Sequence, residues 1–129
     1  MYRSVNFKSE YPDEWGFDAQ KNPIAPGSRE LADKIFEILS KQVTATTPIR
    51  QHSFYGWAFG ARFNDSTFYN VLNPAGGECY LTISSDRYWI RTLLLKRPKK
   101  CFENYCELVN EVLQQVPKVS EIVWQDYKM

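Results

Sequence analysis

The chain has 129 residues and a formal net charge of +1, from 16 Lys and Arg against 15 Asp and Glu. This length predicts a single domain, residues 1–129, and the near-neutral charge argues against a general attraction to nucleic acid or to an anionic membrane. Aromatic residues make up 16% of the chain. Such side chains bury large areas in strands and are enriched at the centres of protein interfaces.

The first third of the chain combines a short alternating segment, a long loop and a helix. Val5 and Phe7 alternate with polar neighbours, which indicates a short strand. Residues 10–27 contain several Pro and Gly but also four large apolar side chains, so we expect an ordered loop held against the core. Ser28 is a candidate N-cap, and apolar residues then recur at helical spacing, which predicts a helix over 28–42.

Four strand-like runs follow the helix. The first begins at Tyr55 and alternates large apolar with small or charged residues as far as Phe63, and the others cover 67–72, 78–84 and 88–95. Short polar or glycine-containing turns separate them. Connections this short favour an antiparallel meander over residues 54–95.

A second helix and a last strand complete the chain. The basic stretch 96–100 breaks the strand pattern, and a continuous apolar stripe then predicts a helix over 101–116, which Pro117 ends. Residues 119–124 form a strand at an edge of the same sheet. The predicted fold is therefore α+β, with a four- to six-stranded, mainly antiparallel sheet and both helices packed on one of its faces.

The other face of such a sheet meets solvent, where polar residues are usual. In this chain one face or the other must expose aromatic side chains beside arginines. They are Tyr69, Tyr80, Tyr88 or Trp89, beside Arg62 and Arg91. An exposed aromatic face of this kind would be a natural homodimer surface.

No catalytic motif is present. His52 is the single histidine, and no partner that could orient it is set by spacing, so an exposed or structural role is favoured over a general base. Cys101 follows two lysines at the predicted helix start, and both features lower a thiol pKa, so a nucleophilic Cys101 with His52 as base is one enzyme hypothesis. Cys79 and Cys106 lie on apolar faces and are expected to be core residues. Three cysteines without metal spacing indicate reduced thiols, and with a single histidine no metal site is expected.

Two groups of acidic residues are candidate contacts for a protein partner. The first lies in the long loop around an indole ring, and the second repeats every four residues along one face of the second helix, where like charges repel. These candidates are Glu14, Trp15 and Asp18 in the loop, and Glu103, Glu107 and Glu111 on the helix. The basic stretch 96–100 is interpreted as a solvated loop, so nucleic-acid binding is not expected. No apolar run has the length of a membrane span or of a signal peptide, which favours a cytoplasmic protein without membrane association.

Three short motifs together resemble small bacterial immunity-type proteins. They are the acidic and aromatic loop with Trp15, the Pro26-Gly27-Ser28 sequence that opens a helix, and Tyr55-Gly56-Trp57 on the first central strand. Members of that class are single α+β domains that bind and block a cognate toxin. The resemblance implies a cytoplasmic, cofactor-free protein whose role is binding, and it transfers no functional residue.

The sequence therefore favours a non-catalytic protein-binding domain, of the immunity or inhibitor kind, over an enzyme. The alternative is a small-molecule-binding or hydrolytic domain with a pocket near His52, Tyr55 and Trp57. A deep pocket holding an oriented His52 would favour the alternative, whereas a flat, aromatic and charged surface would favour protein binding.

Overall fold

A computed structural model of the protein describes residues 2–85 and 96–126. Within these ranges there are two helices, α1 (Arg29–Ser40) and α2 (Lys96–Gln115). The strands of the same ranges are β1 (Tyr2–Ser9), β2 (Gly16–Phe17), β3 (Pro23–Ala25), β4 (Ala45–Thr46), β5 (Arg50–His52), β6 (Gly56–Phe63), β7 (Ser66–Ala75), β8 (Glu78–Ser85) and β9 (Val119–Trp124). Neither described helix is both long enough and apolar enough to cross a membrane.

Seven of these strands form one sheet, and each of the pairings is antiparallel. The order is β4-β6-β7-β8-β1-β9, and β5 also pairs with β6, while β2 and β3 form a separate small hairpin. The α+β prediction with a mainly antiparallel sheet is confirmed, and the sheet has one strand more than the upper expectation. Among the described strands, β6, β7 and β8 form the predicted meander and β9 lies at an edge of the sheet. The fourth predicted strand, 88–95, lies outside the described residues.

The two turns of the meander each use two residues with positive φ. Asn64 and Asp65 have φ of 50° and 60°, and Gly76 and Gly77 have φ of 64° and 91°. Two such residues in a row match the twist of the flanking strands, which is why two-residue hairpins favour Asn, Asp and Gly. The second turn is shorter than the predicted segment 73–77, because β7 continues through Pro74 to Ala75.

The strand register separates the sheet into two unlike faces. Two rows of directly opposed residues on neighbouring strands are entirely buried. They are Phe59, Asn70 and Ile83 in one row, and Trp57, Leu72, Leu81 and Val5 in the other. Directly opposed residues point to the same side of a sheet. The described helix contacts go to this covered face. The Phe36 ring of α1 meets Phe59 edge-on at 5.1 Å, and Tyr105 of α2 stacks on Phe68 at 4.2 Å.

A buried polar pair fixes α2 on the middle of the sheet. The Tyr105 hydroxyl donates to Asn70 Oδ1 at 2.8 Å, and Asn70 Nδ2 donates to the Phe59 carbonyl at 3.2 Å. Burial raises the pKa of Tyr105 well above its usual value, and the hydrogen bond to Asn70 opposes that rise. Buried polar groups are tolerated when each has a partner, so this pair gives α2 a defined position as well as packing area.

Two details of the helices differ from the prediction. α2 begins at Lys96 and not at residue 101. Its first turn can contain a proline, because the backbone N–H that proline lacks would have no partner inside the helix at that position. Pro98 therefore belongs to the helix. Ser28 precedes α1 in a left-handed conformation with φ 59° and makes no side-chain cap, since N-caps normally need an extended backbone to aim the oxygen at the first turn.

Candidate binding surfaces

Asp13 holds the long loop in place. Its Oδ1 accepts hydrogen bonds from Trp15 Nε1 and from the Ser28 hydroxyl, both at 3.0 Å, and its Oδ2 accepts from the Gly76 amide at 3.0 Å. One carboxylate thus joins the loop, the start of α1 and the β7–β8 turn. Asp13 is not among the residues predicted from the sequence, since its three donors are scattered along the chain.

Gly27 lets the loop pass tightly over this junction. A Cβ at Gly27 would come within 2.8 Å of Trp15 Cδ1 and would also overlap Asp13 Oδ1. The Gly27 carbonyl accepts a hydrogen bond from Trp57 Nε1 at 2.9 Å, and the Arg29 guanidinium lies 4.7 Å from the Trp57 ring centroid. Trp57 is therefore enclosed by the loop and by α1 and is only 8% exposed.

The three predicted loop contacts occupy different environments. Glu14 is exposed, Trp15 is half-buried with its N–H bonded to Asp13, and Asp18 supports its own turn. Asp18 Oδ1 accepts from the amides of Gln20 and Asn22, each at 2.9 Å. This Asx-type arrangement shapes the β2–β3 hairpin.

The hairpin and the neighbouring β5–β6 turn expose a group of large apolar side chains. Gln51 Nε2 donates to the Ile24 carbonyl at 2.6 Å, which joins β5 to the hairpin. Tyr55 meets the rings of Phe54 and His52 edge-on at 5.4 and 5.5 Å. We call Phe17, Ile24, His52, Phe54 and Tyr55 the aromatic end surface. Its four apolar members are 39 to 57% exposed. The sequence predicted that the large apolar side chains of the loop hold it against the core. This is correct for Tyr11, which is 6% exposed, and wrong for Phe17 and Ile24, because exposure cannot be read from a loop's composition.

His52 and Cys101 lie at opposite ends of β6. His52 pairs with Gly56 at the start of that strand, whereas Cys101 Sγ lies 3.6 Å from Ser66 Oγ and 3.8 Å from the Phe63 carbonyl at its end. At about 3.3 Å per residue, the strand separates them by roughly 23 Å. A His52 base cannot reach a Cys101 nucleophile over that distance. Cys101 is also the sixth residue of α2, so the helix-start argument for its reactivity was wrong.

The other two cysteines are core residues, as predicted. Cys79 and Cys106 are 0% and 1% exposed. Burial raises the pKa of Cys79 to about 11 and that of Cys106 to about 12, which keeps both thiols protonated at neutral pH. No group of three or more His, Cys, Asp or Glu side chains suited to a metal ion occurs among residues 2–85 and 96–126.

The acidic row of α2 borders a shallow cleft. Glu107 and Glu111 line it together with Cys106 and Asn110 of the same helix, with Arg3 of β1 and with Trp124 of β9, around a volume of about 310 Å³. The Arg3 guanidinium lies 4.8 Å from the Trp124 ring centroid, and Trp124 Nε1 donates to Asn110 Oδ1 at 2.8 Å.

The structure keeps the two predicted acidic groups separate. No hydrogen bond or ion pair joins Glu103, Glu107 or Glu111 to the loop residues within the described ranges, and none of the three has an ion-pair partner there. Glu107 and Glu111 are exposed, whereas Glu103 is half-buried. Comparisons of the chain with protein-family models, with curated proteins and with solved structures gave no match.

Proposed function

We propose that this protein is a non-catalytic binding domain that docks to a protein partner through the aromatic end surface. The observation that carries the proposal is the exposure of Phe17, Ile24, Phe54 and Tyr55 on two segments that hydrogen bonds hold in place. Contiguous exposed apolar side chains on a folded domain mark interaction sites. Aromatic side chains are frequent anchors in such sites because they bury large areas with few rotatable bonds.

The energetics indicate what the partner must provide. Burying the exposed halves of these four side chains would contribute roughly 1 kcal/mol each. Association costs at least about 4 kcal/mol in lost rigid-body freedom, so a polar rim has to add favourable contacts. Glu14, Lys21 and Arg50 are exposed in the loop, the hairpin and β5, and they supply charges of both signs for that rim.

An immunity or inhibitor role is the specific form of this proposal. The partner would be a toxin or enzyme whose active surface the domain covers, with the half-buried Trp15 and the exposed Glu14 at the border of the contact. The α2 glutamates offer a second, separate contact for a basic patch, since a row of unpaired like charges steers an oppositely charged protein. The small-molecule alternative has less support, because Trp57 is enclosed and the 310 Å³ cleft is lined by residues other than His52, Tyr55 and Trp57.

Comparative affinity capture tests the proposal. Tagged wild-type protein, a Phe17→Ser/Tyr55→Ser variant and a Tyr80→Ser control would be incubated with lysate of the source organism, and bound proteins quantified by mass spectrometry. The control removes an exposed tyrosine of equal size from the sheet, far in sequence from both segments. We expect one stoichiometric partner with the wild type and the control and its loss with the double variant. A partner that all three retain equally would refute the placement.

A further inference from the structure

The side of the sheet opposite to the covered face carries exposed tyrosines. The strand register divides this side into rows of directly opposed residues. We call the following four rows the tyrosine face: Asn73, Tyr80, Asn6 and Val123; Arg50, Ala58, Val71, Thr82 and Ser4; Gly60, Tyr69, Ser84 and Tyr2; and Ala45, Arg62 and Thr67. Its tyrosines, Tyr2, Tyr69 and Tyr80, are 38 to 47% exposed.

The neighbours of these tyrosines leave their rings accessible. Tyr69 lies between Gly60 and Ser84 in its row, and Tyr2 also neighbours Ser84. Tyr80 lies between two asparagines. Because all of these neighbours are short, none of them can cover a tyrosine ring completely, which agrees with the exposure of the rings. Exposed aromatic rings on a sheet are surfaces on which unpaired bases stack.

The charge of the tyrosine face is positive. Arg50 and Arg62 are exposed, neither has a salt bridge to another described residue, and the four rows contain no Asp or Glu. In the next row, Glu78 lies opposite Lys8, so their charges cancel. The near-neutral charge of the whole chain therefore conceals a local positive charge on this face. Its complement is a ligand that carries negative charges and aromatic rings.

The arginines lie near enough to the tyrosines to act on the same strand of nucleic acid. With strands about 4.8 Å apart and about 3.3 Å per residue, the backbone of Arg62 lies about 8 Å from that of Tyr69, and Arg50 lies about 12 Å from it. Tyr80 lies about 14 Å from Tyr69 on the neighbouring strand. A nucleotide chain that places one base on Tyr69 can therefore bring phosphates to the arginines and a later base to Tyr80.

We propose that the tyrosine face binds single-stranded RNA, with bases stacked on Tyr69 and Tyr80 and phosphates at Arg50 and Arg62. The other polar side chains of the face are hydroxyls and amides, which can bond to base edges and to the ribose hydroxyl. A duplex is not a suitable ligand, because its bases already stack on one another. Arg50 belongs to β5 and borders the aromatic end surface, whereas the two tyrosines and Arg62 belong to the tyrosine face alone.

Fluorescence anisotropy of labelled octauridylate, titrated with purified protein, tests the proposal. We expect a Kd of about 10–100 µM for the wild type at about 50 mM salt. Tyr69→Ser/Tyr80→Ser removes both stacking rings and should raise Kd by about 30-fold or more, with its fold checked by far-UV circular dichroism. The Phe17→Ser/Tyr55→Ser variant is the matched control and should bind within about twofold of the wild type. No binding by the wild type at about 300 µM, or equal binding by the Tyr69→Ser/Tyr80→Ser variant, would overturn the proposal.

Salt dependence supplies a second readout that leaves the tyrosines in place. Two phosphate contacts on a single strand should raise Kd about sevenfold between about 50 and about 200 mM salt. Arg62→Gln should reduce this rise to about threefold, whereas Lys21→Gln, at an exposed lysine of the β2–β3 hairpin, should leave it unchanged. Octadeoxyuridylate lacks the ribose hydroxyls and should bind at least about threefold more weakly. Equal salt dependence of the two variants, or equal binding of the two oligonucleotides, would contradict the assignment to RNA on this face.

Discussion

Removing the Asp13 carboxylate should destabilise the protein and disorder the loop that carries part of the partner site. Asp13→Ala leaves three donors without their acceptor: the Trp15 indole N–H, the Ser28 hydroxyl and the Gly76 amide. Ser28 is only 3% exposed, so its unpaired hydroxyl costs about 1–3 kcal/mol. The half-buried indole N–H adds about 1 kcal/mol, and the exposed Gly76 amide adds less because water replaces the carboxylate.

The sum is a loss of roughly 2–4 kcal/mol in the free energy of unfolding, or about 8–15 °C in Tm for a chain of this size. Urea and thermal unfolding followed by circular dichroism would measure it. Glu14→Ala is the matched control, because Glu14 is the adjacent, exposed carboxylate, and it should change stability by less than about 0.5 kcal/mol. If Asp13→Ala is as stable as Glu14→Ala, then Asp13 does not anchor the loop.

Three further predictions concern the core and α2. Tyr105→Phe removes a single oxygen atom but leaves Asn70 Oδ1 buried without its donor. It should lower the free energy of unfolding in urea by about 1–3 kcal/mol. A loss below about 0.5 kcal/mol would show that the pair does not fix α2. Burial raises the pKa of Cys79 to about 11 and that of Cys106 to about 12, so the unfolded chain releases these thiol protons first as the pH rises above about 9. Each thiol should therefore lower the free energy of unfolding by about 1.4 kcal/mol per pH unit until its folded pKa is reached. Unfolding measured from pH 8 to pH 10 should show this loss, and replacing both thiols with alanine should flatten it; an unchanged slope would contradict it. Glu107→Lys places a positive charge between two glutamates that lie four residues away on either side. It should raise the free energy of unfolding by a few tenths of a kcal/mol and slow association with a basic partner. A faster association rate would refute the role of the acidic row.

Periodic patterns in the sequence predicted the parts of the fold that repeat. Alternation predicted the strand over 78–84, and in the structure Cys79, Leu81 and Ile83 of β8 are buried on the covered face. The apolar stripe of α2 was equally clear. The first residue of α2 could not be predicted in this way, because Pro98 is a residue that usually ends a helix. In the first turn, however, the helical backbone accepts proline.

Features that depend on long-range contacts could not be predicted. β4 and β5 have two and three residues, too few to show a period, and they exist because β6 offers an edge to pair with. The insertion of β1 between β8 and β9 pairs residues of β1 and β8 that are 70 to 82 positions apart in the sequence, and no local signal marks it. The role of Asp13 is of the same kind, since its partner at Gly76 is 63 residues away.

The candidate site was likewise predicted only in part from the sequence. Sequence reasoning identified the aromatic loop as ordered and Trp15 and Glu14 as part of it, and it noted Tyr55 and Trp57 as a rival region. The structure joins the two regions through the hydrogen bond from Trp57 to Gly27, so they lie next to each other. Only the three-dimensional arrangement shows which of their side chains are buried and which are exposed.

The most direct test of the central claim is the affinity of the purified partner for three proteins, measured by isothermal titration calorimetry. The proteins are the wild type, the Phe17→Ser/Tyr55→Ser variant and the Tyr80→Ser control. If the aromatic end surface is the docking site, losing two anchors worth about 1–2 kcal/mol each should raise Kd by roughly 30-fold or more, while the control stays within about threefold of the wild type. If the control loses affinity and the double variant keeps it, the partner binds the face of the sheet that carries Tyr80 and the account is wrong.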